Sequence, residues 1–138
     1  MKSRRRRYWA LSMALLLLAL SFAVPAFATG APLTEDQKID ALIHGIEVLP
    51  GAQFIRNGSA YDGKAAAEHL RTKRRFAGSR VKTANDFIAD CASGSSMSGQ
   101  PYHIQFADGK TVDAQIYFRA ELKRIDAQQV VAAPSAKP

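Results

Sequence analysis

Residues 102–113 read Tyr102-His103-Ile104-Gln105-Phe106-Ala107-Asp108-Gly109-Lys110-Thr111-Val112-Asp113. Tyr102, Ile104 and Phe106 alternate with polar residues, the period of a strand with one buried face. Asp108-Gly109 marks a hairpin. A two-residue loop at 108–109 would pair Gln105 with Val112 and turn Val112 outward. A three-residue loop at 107–109 pairs Ile104 with Val112, keeps both inside and leaves Gly109 left-handed. The second register is expected, and it sets His103 opposite Asp113 on the outer face.

The rest of the chain surrounds this hairpin with helices. Downstream, a helix is expected from about Ala114 to Asp126 with Phe118, Leu122 and Ile125 inward, then a disordered tail over 127–138. Upstream lies a polar loop, Ser93 to Gly99, closed by Pro101. Before it, Thr83 opens a helix with Asp86 at N3, and Ala84, Phe87, Ile88 and Cys91 form its core stripe. Another helix is read from the Ser59-Ala60-Tyr61-Asp62 capping pattern to Ala77, ended by Gly78. Asn57-Gly58 is a turn, and Gln53-Phe54-Ile55 is a candidate third strand. The first helix begins at Thr34, whose capping box is completed by Gln37, and Pro50-Gly51 stops it. The class is therefore α+β: one small domain over 34–126 with four helices, a β-hairpin and the 53–55 segment, after a short flexible lead at 29–33.

The first 28 residues read as an address. Five of the 19 basic residues lie within positions 1–7, and an apolar run from Leu11 to Phe22 follows. Pro25 breaks the run, and Ala26-Phe27-Ala28 has the form of a peptidase site, so a secretory signal peptide cleaved after Ala28 is expected. The alternative is an uncleaved anchor, since 8–28 is just long enough to cross a bilayer at about 20 residues. Arg5-Arg6 also loosely fits a twin-arginine signal. Beyond residue 28 the 14 remaining basic residues face 12 acidic ones, a net of +2, so the total of +7 does not argue for nucleic acid. The expected site of action is the periplasm, with no stable membrane anchor after cleavage. One cysteine forbids an internal disulfide, and a hydrophobic core must hold the domain.

Four strings carry a resemblance. Phe54-Ile55-Arg56-Asn57-Gly58, His69-Leu70-Arg71-x-Lys73, Thr83-Ala84-x-Asp86-Phe87-Ile88 and Ser95-Ser96-x-Ser98-Gly99-x-Pro101-Tyr102 resemble the YfeK-like family of short exported bacterial proteins, a domain of unknown function. The resemblance covers roughly 34–125 and implies a periplasmic protein with no assigned reaction. Cys91 lies outside the four strings, which weakens any thiol chemistry.

Two readings of function follow. The first is a non-catalytic binding or accessory module for an acidic ligand or envelope partner, using Arg56, His69, Lys73 and the loop serines Ser95, Ser96 and Ser98. His69 and Lys73 share one side of their helix, whereas Arg71 points the other way. Against it, His69 can simply satisfy a carbonyl, Lys73 can snorkel, and the serine loop can be a solvated linker. The second is a small hydrolase of envelope material in which Ser95 or Ser96 attacks and His69 is the base. A structural protein with no ligand is the third. Ser79-x-x-Lys82 formally matches a penicillin-binding nucleophile motif, but its companion motifs are missing. His44, His69 and His103 fall on separate elements without ligand spacing, so neither metal nor cofactor is expected. The basic run from Arg71 to Lys82 goes round its helix without interleaved aromatics and reads as a solvated face.

Overall fold

A computed structural model describes residues 31–132. The expected signal peptide, the first two residues of the lead and 133–138 lie outside the described residues. The elements in order are α1 (Glu35–Glu47), β1 (Gln53–Arg56), β2 (Ser59–Tyr61), α2 (Gly63–Ala77), α3 (Ala84–Phe87), β3 (His103–Gln105), β4 (Thr111–Asp113) and α4 (Ala114–Ala132). The α+β class is what forms, with a four-stranded antiparallel sheet in the order β2-β1-β3-β4.

The central hairpin adopts the core-preserving register. Ile104 pairs with Val112, His103 with Asp113, and Gly109 has φ 84°. The Phe106 amide donates to the Lys110 carbonyl at 2.8 Å and closes the three-residue loop. The 53–55 segment is a strand as expected, and it pairs with β3 through Phe54 and Ile104. Tyr61, Phe54, Ile104 and Val112 therefore stand in one row across the sheet, on the side that carries the core.

Two expectations need correction. Ser59 does not cap α2; it opens a fourth strand, and Arg56 pairs with Ser59 across a two-residue turn. Asn57 and Gly58 have φ of 49° and 77°, both left-handed, the geometry that an Asn-Gly hairpin turn uses. The cap of α2 is Asp62, whose carboxylate accepts from the Ala65 amide at 2.8 Å. The last helix also runs six residues past the expected end at Asp126, so 127–132 is helical.

The helices cover one face of the sheet. Ile39, Leu42, Ile43 and Ile46 of α1 are buried, as are Ala66, Ala67 and Leu70 of α2 and Phe118, Leu122 and Ile125 of α4. Gly63 lets α1 and α2 meet closely, because a Cβ there would run into the Ile46 carbonyl and lie 2.8 Å from that of Glu47. The capping box at Thr83 forms as read, and Ala84, Phe87, Ile88 and Cys91 are all buried. Over Ile88–Ala92 the third helix widens into a π-helical turn. The Ser93 hydroxyl donates to the Ile88 carbonyl at 2.5 Å and closes that wider turn.

A candidate anion-binding cleft

Strand alternation places the first residues of the site. Arg56 lies two positions after the buried Phe54, and Tyr102 two before the buried Ile104, so both fall on the helix-facing side. The β1–β3 register, carried one pair further, makes them neighbours. On α2, His69 and Lys73 are one turn apart and face the same sheet edge. Arg56, His69, Lys73 and Tyr102 line one open cleft of about 970 Å³. Its other wall is the π-helical turn and the 93–101 loop, including Asp90, Ser95 and Ser96.

The four groups form a directed chain. Arg56 Nη1 donates to His69 Nδ1 at 2.6 Å. A guanidinium has no acceptor, so Nδ1 must be unprotonated and the ring hydrogen sits on Nε2. Nε2 then donates to the Tyr102 hydroxyl at 3.1 Å. Tyr102 Oη accepts this bond and keeps its own hydrogen to give. Burial, followed by the positive charges of Arg56 and Lys73, pushes His69 down to about 4. Burial raises the Tyr102 phenol above its ordinary value, which keeps it a donor. Arg56 also donates to the Tyr61 hydroxyl at 3.2 Å and lies 4.6 Å above that ring.

Lys73 donates to the Gly94 carbonyl at 2.6 Å, with its ammonium 5.0 Å from the Tyr102 ring centre. Burial lowers its pKa. Gly94 suits this approach, since a Cβ there would lie 2.8 Å from the Gln100 carbonyl across the Gly94–Pro101 bridge. Three of the other four cations of α2 are ion-paired. Arg71 pairs with Glu47 at 2.5 Å, Arg74 with Asp36 at 2.7 Å and Asp40 at 2.8 Å, and Arg75 with Glu68 at 3.6 Å. Among the described residues, neither Arg56 nor Lys73 has a carboxylate within 4.0 Å. Within the basic run, Arg71, Arg74 and Arg75 are thus ion-paired rather than merely solvated, whereas Arg80 and Lys82 have no carboxylate within 4.0 Å among the described residues, and Arg80 lines the cleft.

The serine loop is more built than its composition suggests. The Ser95 amide donates to the Gln100 carbonyl at 2.9 Å, and the Gly99 amide to the Ser95 carbonyl at 2.9 Å. Ser95 Oγ accepts from the Ser98 amide at 3.2 Å. Ser98 is outside the cleft lining, and its hydroxyl donates to Asn57 Oδ1 at 2.8 Å, tying the loop to the β1–β2 turn. The structure therefore brings Arg56, His69, Lys73, Ser95 and Ser96 to one cleft and gives Ser98 a bracing contact. Tyr61 and Tyr102 were missed by the sequence reasoning. The available signal was chemical: an inward-facing tyrosine, unlike a phenylalanine, needs a partner for its hydroxyl. No cluster of three or more metal-ligating side chains occurs among the described residues.

Comparison with known proteins gives a match over residues 33–126 to a family described as "Family of unknown function (DUF5329)". The chain belongs to this family. It is also 35% identical over 86 residues to a Salmonella typhimurium protein described as "Uncharacterized protein YfeK", covering 62% of this chain and 71% of that one. No solved structure matches. The match spans β1, α2, the serine loop and β3, so every residue of the cleft falls within the family domain.

Proposed function

We propose that the protein is a non-catalytic binding module of the bacterial envelope that holds an acidic ligand in the Arg56–Lys73 cleft. One observation carries this reading: three cations, Arg56, Lys73 and Arg80, line the cleft with no carboxylate within 4.0 Å among the described residues, while Arg71, Arg74 and Arg75 of α2 are paired. Like charges that burial has partly stripped of water are costly, and an incoming anion relieves that cost. The donor chain from Arg56 through His69 to Tyr102 ends in a hydroxyl hydrogen that an anion can accept. The envelope location rests on the signal-peptide pattern at 1–28.

The hydrolase reading has less support. It asks His69 to take a proton from Ser95 or Ser96, but Nδ1 is held by Arg56 and Nε2 by Tyr102. Ser95 Oγ accepts a loop amide, and both ring nitrogens of His69 are engaged by Arg56 and Tyr102 rather than by a serine.

A single experiment tests both parts of the proposal. Protein recovered from its native host should have the intact mass of residues 29–138. Calorimetry against a panel of phosphates, small carboxylates and wall-derived peptides should then find an anion that binds. Its affinity should fall by about tenfold or more in Arg56→Ala and in Lys73→Ala. A full-length cytosolic species removes the location, and silence across the panel removes the binding role.

A further inference from the structure

The cleft carries more than charge. Phe76 of α2 and Met97 at the loop tip both line it, and they are 84% and 99% exposed. Phe76 is the one aromatic among the large exposed apolar residues described, and it stands beside the unpaired cations. Asp90, on the π-helical wall, is a carboxylate with no ion-pair partner within 4.0 Å among the described residues. Phe76 and Met97 are the large exposed apolar side chains of the lining, and the loop serines lie in the same wall as Met97. Asp90 disfavours a dianion nearby and suits a monoanion that brings an N–H with it.

We propose, resting on the anion-binding reading above, that the cleft takes the carboxyl-terminal end of a peptide whose last residue has a large apolar side chain. The terminal carboxylate lies between Arg56, Lys73 and the Tyr102 hydroxyl. Arg56 has a second hydrogen on each terminal nitrogen beyond those given to His69 and Tyr61, and Lys73 has two hydrogens beyond the one given to Gly94. The last side chain rests between Phe76 and Met97, where aromatic and thioether surfaces adapt to it. The preceding amide faces the serine loop and Asp90.

The test is calorimetry on the purified protein with five probes: N-acetyl-alanyl-phenylalanine, its C-terminal amide, N-acetyl-alanyl-glycine, octanoate and inorganic phosphate. The free-acid phenylalanine peptide should bind about tenfold or more tighter than the amide. It should also exceed the glycine peptide, by about threefold to tenfold for a side chain on an open rim. In a Phe76→Ser, Met97→Ser double variant, both changes being at exposed positions, the preference over glycine should vanish while the preference over the amide stays. Equal binding of acid and amide overturns the proposal. Octanoate or phosphate binding as tightly as the peptide also overturns it, while leaving the anion-binding reading standing. No binding by any of the four anions ends both.

Discussion

His69 is a histidine that the fold keeps neutral. Its environment contains the cations Arg56 and Lys73 and the phenol of Tyr102. Its ordinary value is 6.5, and in the folded protein it is pushed down to about 4. Between those values the unfolded chain holds a proton that the folded chain lacks, so stability rises with pH through this window. The contribution is complete above about pH 6.5 and is lost as the pH falls toward 4. The ring is partly solvated, so screening reduces the effect to about 1–2 kcal/mol. Urea unfolding at pH 7 and pH 4.5 should show a steeper loss for the native protein than for His69→Gln, whose amide can accept from Arg56 and donate to Tyr102. The lowered carboxyls of Glu35, Glu47 and Asp86 act in both proteins and cancel in the difference. Equal slopes would mean that His69 is not held neutral. At this scale periodicity set His69 and Lys73 on one side of their helix, and Arg56 was placed from the turn that precedes it. Tyr102 escaped because alternation reports which face a residue takes and not what its hydroxyl meets.

Two competing local signals meet between residues 57 and 62. Asn57-Gly58 is a hairpin turn, and Ser59-x-x-Asp62 has the form of a helix start. The hairpin wins because it puts Tyr61 beside Phe54 on the core-facing side and under Arg56, while Asp62 remains free to cap α2. Three residues are too few for alternation to show, so β2 was not legible, whereas the longer 102–113 pattern fixed its own register. Two glycines separate conformational from steric cost. Gly58 has φ 77° and open space around its missing side chain, so Gly58→Ala should cost about 1 kcal/mol through the backbone alone. Gly63 meets the α1 carbonyls, so Gly63→Ala must push two helices apart and should cost more, about 1–3 kcal/mol. Denaturant midpoints of the two variants should fall in that order. The reverse order would show that α1 and α2 have slack at their crossing.

Across the whole molecule, charge is sorted by surface. Acids of α1 and α2 neutralise the outward arginines Arg71, Arg74 and Arg75 of α2, whereas the cleft cations Arg56, Lys73 and Arg80 have no carboxylate within 4.0 Å among the described residues. The apolar positions read from the sequence, from Ile39 on α1 to Ile125 on α4, are the ones that the core uses. The π-helical turn at Ile88–Ala92 was not legible, because its cause, the Ser93 bond to Ile88, is a contact and not a pattern. That turn connects core to cleft: Cys91 faces inward with 1% exposure, and Ala89 and Asp90 face the cleft. Burial raises the Cys91 thiol and shields it, so it stays unreactive until the fold opens. A thiol reagent at mildly alkaline pH should therefore label the native protein on the order of a thousandfold or more slowly than the urea-unfolded chain. The native rate should fall further when an anion occupies the cleft, because binding stabilises the closed wall. Fast native labelling without loss of global structure would mean that the π-helical turn opens by itself. The wall bearing Asp90 could not then hold a fixed shape for a ligand.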